Sequence, residues 1–185
     1  PANAKVWGVE AAGTIPHALI ASLGGDSVKA ARLFDKYMPA KVARIALVDF
    51  DNDCVGTSLK VAHALGDKLA GVRLDTSGTM VDKSLTEQMG HFQPTGVNAQ
   101  LVHNVRTALD AEGFTKVKIV VSGGFTPERI KSFETARVPV DVYAVGSYIY
   151  SGNTDFTSDV VLLNGKPCAK AGRRYADNSR LEDVE

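Results

Sequence analysis

The sequence predicts an α/β fold made of parallel βα units. Three observations carry this expectation. Short Val-, Ile- and Leu-rich runs alternate with helix-like stretches, glycine and proline punctuate the helix ends, and polar and glycine residues collect just after the apolar runs. The strand candidates are residues 6–9, 44–48, 69–74, 117–121 and 140–145. Their composition suits strands covered on both faces, as in a parallel sheet.

The helices between them carry start and stop signals. Residues 16–23 begin at Pro16 and stop at Gly24-Gly25. Asp26 is placed to cap a helix running through Tyr37, with Pro39 beyond it. The stretch 57–65 ends at Gly66, and 97–111 ends near Gly113. Thr126-Pro127-Glu128 opens a helix to about Phe133, with Thr as cap and Pro in the first turn. Near the end, residues 160–163 and 166–170 flank Asn164-Gly165, a hairpin turn signal, and 171–185 reads as a polar tail. The expected organisation is a βα body over 1–155, with a hairpin and tail over 156–185 that belong to a second domain. Five strands are too few to close an eight-stranded barrel, which takes about 250 residues. The count fits either an open sheet or part of a barrel.

Composition narrows the function. The 185 residues hold 21 Lys+Arg and 21 Asp+Glu, a net charge of zero that argues against nucleic acid held by a broad positive field. Cys54 and Cys168 form no C-x-x-C pair, so neither a zinc ribbon nor a disulfide framework is indicated. No apolar run approaches the ~18 residues of a membrane span, and residues 1–5 lack the apolar core of a secretory signal. The expectation is a cytoplasmic globular protein.

In parallel α/β folds ligands gather beyond the C-terminal strand ends. Here those positions hold Thr14 and His17 after the first strand, then Asp49, Asp51 and Asp53 after the second. Arg73 and Asp75 close the third, Ser122-Gly123-Gly124 follows the fourth and Gly146-Ser147 the fifth. Glycines after a strand let backbone N–H groups approach an anion, and a helix opening at Thr126 adds its positive end. The same glycines also suit a tight βα turn with no ligand. Arg73 and Asp75 alternate along one strand and so project to one side, where the guanidinium needs an anionic partner, either substrate phosphate or a carboxylate.

The acids after the second strand admit several roles. A calcium loop fails, because its sixth and twelfth positions would be Cys54 and Lys60. Asp49-x-Asp51 suits a phosphatase of the haloacid dehalogenase type, with a nucleophile and a general acid, but Asp53 stands where that motif expects Thr or Val. The same acids could accept hydrogen bonds from sugar hydroxyls or lie near Mg²⁺ on a polyphosphate, or could cap the helix near Thr57. His63 and His103 fall within helical patterns and His91 in a loop, whereas His17 shares the strand-end rim.

Six motifs in order resemble nicotinate phosphoribosyltransferase. They are Gly-Thr-Ile-Pro-His (13–17), Leu-Val-Asp-Phe-Asp-Asn-Asp (47–53), Gly-Val-Arg-Leu-Asp-Thr-Ser-Gly (71–78), Val-Ser-Gly-Gly-Phe (121–125), Tyr-Ala-Val-Gly-Ser (143–147) and the segment 159–175. The resemblance spans essentially the whole chain. It implies a partial barrel of the type II phosphoribosyltransferase kind. The implied reaction joins nicotinate to phosphoribosyl pyrophosphate, giving nicotinate mononucleotide and pyrophosphate in NAD salvage. Nicotinamide as the base and the phosphatase are the alternatives. ATP hydrolysis would be coupled through a phosphohistidine at His17, with Asp49 and Asp51 near the ribose and its Mg²⁺-bound pyrophosphate.

The resemblance also implies that Arg73 and Asp75 hold the phosphoribosyl group, and that Ser122, Gly123, Gly124, Gly146 and Ser147 cradle its 5′-phosphate beside Thr14. Members of that family are longer. The match is to their C-terminal part, and an aromatic and an Arg of their pyridine pocket have no counterpart here. The implied partners are therefore the N-terminal half or a second chain, with self-association into a homodimer or other homo-oligomer, and neither nucleic acid nor membrane.

Overall fold

The computed structural model describes residues 14–150, 161–168 and 174–177, together with Gly8. The expected strand at 6–9, Gly13 and most of the tail lie outside the described residues. By its internal contacts the chain divides into two compact units, Pro1–Ile149 and Tyr150–Glu185.

The first unit follows the predicted alternation. Helices α1 (His17–Ser22) and α2 (Ser27–Tyr37) lead into strand β1 (Arg44–Leu47), helix α3 (Cys54–Leu65) and strand β2 (Leu69–Leu74). A 3₁₀ helix, Lys83–Gln88, interrupts the long connection to α4 (Ala99–Ala111), and β3 (Lys118–Val121), α5 (Pro127–Thr135) and β4 (Val142–Tyr143) complete the unit. The four strands pair in parallel in the order β1-β2-β3-β4. A doubly wound sheet reverses its strand order part-way; this one does not. Sequential order with helical connections is the pattern of a barrel segment, and the fold is a partial parallel βα arrangement, as the sequence predicts.

Register separates the two faces of the sheet. Ala46, Val72 and Ile119 share one row and Leu74 and Val121 the corresponding row two residues on, all at most 2% exposed and packed with the helices in the core. The opposite face carries the row Leu47, Arg73, Val120 and Val142. Past the strand ends the ladder continues through Val48 N–H to the Arg73 carbonyl, Ser122 N–H to that of Leu74 and Ala144 N–H to that of Val121. Strand alternation therefore brings Asp75 and Ser122 out on the same face as Arg73, one step further along.

Asp26 and Thr126 cap their helices as the sequence signals, while α4, expected from residue 97, starts at Ala99 behind a cap at Asn98. Asp26 accepts from Lys29 N–H, Asn98 from Leu101 N–H and Thr126 from Arg129 N–H, with Pro127 in the first turn of α5. Helix α3 starts three residues before the expected Thr57, because Asp53 caps it by accepting from Gly56 N–H while Asp82 accepts from Cys54 N–H. At the opposite ends of the strands, the Arg44 guanidinium is engaged by Asp35 and by the carbonyls of Met38, Pro39 and Val42. It thereby satisfies carbonyls left over past the end of α2.

In the second unit, β5 (Leu162–Leu163) and β6 (Lys166–Pro167) form the expected antiparallel hairpin. Asn164 and Gly165 both take positive φ, 50° and 74°, as a two-residue turn of this hand requires.

Candidate active site

Helix α1 opens on His17, and the turn after β1 presents Asp49 to it. The His17 Nε2 lies 3.1 and 3.2 Å from the two Asp49 carboxylate oxygens. The His17 side chain is 45% exposed and that of Asp49 only 7%. Burial pushes the Asp49 carboxyl above its ordinary range, opposed by the hydrogen bond and charge of His17 and reinforced by the Asp75 carboxylate. An Nε2–H donated to Asp49 leaves the lone pair on Nδ1, which faces Asp75 at 4.0 Å.

Asp75 is the hub of the site. It accepts from the Ser122 hydroxyl at 2.7 Å and lies 3.7 Å from the Arg73 guanidinium. The Arg73 side chain is 19% exposed, and its buried Nε has no hydrogen-bond partner. A guanidinium with no other hydrogen-bond partner among the described residues keeps capacity for a further anion.

A cleft of about 400 Å³ joins Arg73, Asp75 and Ser122 to both glycine corners, Gly123-Gly124 and Gly146-Ser147. Gly123 and Gly124 adopt φ of 87° and 74°, the left-handed region, and a Cβ on Gly123 would sit 3.5 Å from the Asp75 carboxylate and the Thr76 carbonyl. None of the four corner amides donates to another described residue. Glycine corners at two adjacent strand ends beside a guanidinium supply the kind of backbone donors that suit an anion.

The sequence-predicted residues thus divide. His17, Asp49, Arg73, Asp75, Ser122 and the two glycine corners come together on one rim. Thr14 is half-buried just before α1 and makes no hydrogen bond among the described residues. Asp51 is exposed on the turn after β1, away from the His17–Asp49 pair's hydrogen bonds, and Asp53 serves as the α3 cap with Lys83 3.8 Å away. Among the described residues no group of three or more His, Cys, Asp or Glu is placed to hold a metal ion. The buried Cys54 thiol, pushed upward chiefly by burial, contacts Thr76 Oγ1 and is an inert packing group.

Sequence reasoning missed three supporting residues. Asn52, at φ 54°, donates from its side chain to the Val81 carbonyl and accepts Lys83 N–H, tying the Asp49 turn to the segment after β2. Asp82, fully buried, caps both α3 and the 3₁₀ helix; the spacing Asp82-x-Ser84 was its available signal. Arg129 stands in the first turn of α5, where the helix dipole disfavours a cation. That mismatch was the clue to a tertiary partner.

A larger hollow of about 540 Å³ lies at the other ends of the strands, among Asp35, Met38, Arg44 and Lys68. Its charged groups are already paired with one another or with carbonyls, so it offers less to a ligand than the rim does.

No family model matches the chain. It is similar in structure to nicotinate-nucleotide pyrophosphorylase from Pyrococcus furiosus, with a TM-score of 0.65 and 38% sequence identity. That neighbour is a related phosphoribosyltransferase, not nicotinate phosphoribosyltransferase itself. The match covers 95% of this chain and 41% of the neighbour, so the chain spans less than half the length of the protein it resembles. It supports the partial parallel βα arrangement as a phosphoribosyltransferase-type fold. Among the described residues no helix is long and apolar enough to cross a membrane.

Proposed function

We propose that this chain carries the phosphoribosyl-binding part of an enzyme of NAD biosynthesis that transfers a phosphoribosyl group to nicotinate. The observation that carries this is one rim: a cleft lined by Arg73, Asp75 and two glycine corners whose amides donate to no other described residue, with the His17–Asp49 pair beside it, His17 Nδ1 lying 4.0 Å from Asp75. The neighbour supports phosphoribosyl transfer in NAD biosynthesis, and nicotinate as the acceptor rests on the resemblance of the six motifs.

In the forward direction the bond from C1 of the ribose to the pyrophosphate oxygen breaks and a bond to the pyridine nitrogen forms. Positive charge develops on the sugar and negative charge on the leaving pyrophosphate, so positioning and electrostatics dominate over covalent attack. The corner amides would hold the 5′-phosphate and Arg73 would offset further negative charge, while Asp75, fixed by Ser122, would face the sugar. Mg²⁺ would arrive on the pyrophosphate, because among the described residues no three His, Cys, Asp or Glu side chains are grouped to hold a cation.

ATP coupling through His17 belongs to the same proposal. With Nε2–H held by Asp49, Nδ1 would attack the γ-phosphorus of ATP, forming the N–P bond as the bond to ADP breaks. The added charge of about −2 would then stand beside Asp75 and within the field of Arg73, so its later hydrolysis relieves repulsion. The remaining barrel strands and the pyridine pocket would come from an N-terminal half or another chain. A haloacid dehalogenase-type phosphatase is less well supported, since Asp51 is exposed apart from the His17–Asp49 pair and the sheet does not reverse its strand order.

The test is product formation by the full-length protein supplied with nicotinate, phosphoribosyl pyrophosphate and Mg²⁺, with and without ATP. Nicotinate mononucleotide and pyrophosphate in equal amounts, stimulated by ATP and unstimulated in His17→Ala, are expected. Release of inorganic phosphate from a generic ester, with no nucleotide formed, would overturn the proposal.

A further inference from the structure

The corner at Gly123-Gly124 is held by a side chain reaching back from α5. The Arg129 guanidinium donates through Nη1 to the carbonyls of Gly123, at 2.8 Å, and Gly124, at 3.3 Å, and through Nη2 to the carbonyl of Val97. Its carbon lies 4.2 Å from the centroid of the Phe125 ring, with Phe133 behind it at 5.9 Å. Among the described residues no carboxylate forms an ion pair with it. Partial burial lowers its affinity for a proton.

We propose that Arg129 is a positioning residue of the anion site. Two consecutive left-handed glycines have little conformational preference of their own. Fixing both carbonyls on the α5 side leaves the amides of the corner available to the cleft. The same unneutralised charge sits one peptide layer behind the place where a phosphate would lie, and adds to the positive end of α5. This rests on the cleft being the seat of the phosphoribosyl 5′-phosphate.

Binding of ribose 5-phosphate to the full-length protein by titration calorimetry tests it, with Arg129→Met, Arg129→Gln and Arg129→Lys compared. Arg129→Met is expected to weaken binding about tenfold or more. Arg129→Lys, which can still donate to the two carbonyls, restores most of it. A residue that merely packs α5 would lower the melting temperature and leave the affinity of the folded protein unchanged. Unchanged affinity in folded Arg129→Met, or in Arg129→Gln should the former not fold, overturns the role of Arg129 and leaves the site standing. Failure of the unsubstituted protein to bind ribose 5-phosphate overturns both.

Discussion

Asp49 is buried against His17 at the cost of being harder to ionise. Its carboxyl is raised above 3.8 chiefly by burial, so the folded state binds its proton more readily than the unfolded chain does. The sign follows from linkage: stability falls as pH rises through the raised value, and the ionised group is a standing cost at neutral pH. Asp49→Asn is therefore expected to melt about 2 °C higher than the unsubstituted protein near pH 7. The difference should shrink as pH falls toward 3.8. Stimulation by ATP should drop at least tenfold in the same variant, because the neutral amide no longer supports a charged imidazole. Melting curves across pH and nucleotide assays check the two halves, and a variant less stable at every pH would contradict the burial argument. His17, Arg73, Asp75 and the glycines were legible in sequence because strand ends in parallel folds are places where charge and glycine stand out from their apolar neighbours. The pairing of His17 with Asp49 was not, since 32 residues separate them and only the register of β1 against α1 brings them together.

Between strands and helices, the loops hold the rim in place. Asp82 is 0% exposed and accepts from Cys54 N–H, Ser84 N–H and the Ser84 hydroxyl, so one carboxylate starts two helices. Asp82→Ala would leave two buried N–H groups unpaired and should cost about 2–4 kcal/mol, read as a lower denaturant midpoint. Asp82→Asn keeps one acceptor and should lose roughly half as much. A midpoint unchanged by either would show that water or local rearrangement serves the same groups. Cap positions could be read from sequence where a cap lies next to its helix, as at Asp26 and Thr126. The first turn of α3 could not, because the Asp82 carboxylate that accepts from Cys54 N–H comes from 28 residues downstream. Strand β4 illustrates the reverse: the apolar run 140–145 narrows to Val142–Tyr143, since pairing on β3 extends only that far.

The four parallel strands make a sheet with helices against one face and, on the other, a row whose Leu47 and Val120 are buried at 1% and 4% exposure. That row runs Leu47, Arg73, Val120 and Val142, and Val142 is 45% exposed. An Arg between Leu and Val suits the interior of a barrel that closes around a charged ligand better than a face turned to water. Alternation of strands and helices was enough to predict parallel order, while closure depends on contacts that periodicity does not encode. The apolar edge left exposed at Val142 is a surface that a further strand or a second chain can cover. The chain of 19.7 kDa, expressed alone, is accordingly expected to run in light scattering at a multiple of that mass. It should also bind a dye specific for exposed apolar surface, and lose that binding when the N-terminal complement is added. A monodisperse monomer that leaves the dye unbound would mean the row is already covered by the chain itself. In that case ribose 5-phosphate would have to reach Arg73 through the rim alone, and Val142→Asp would leave solubility and mass unchanged; if the row meets another segment, Val142→Asp should instead prevent the complement from binding.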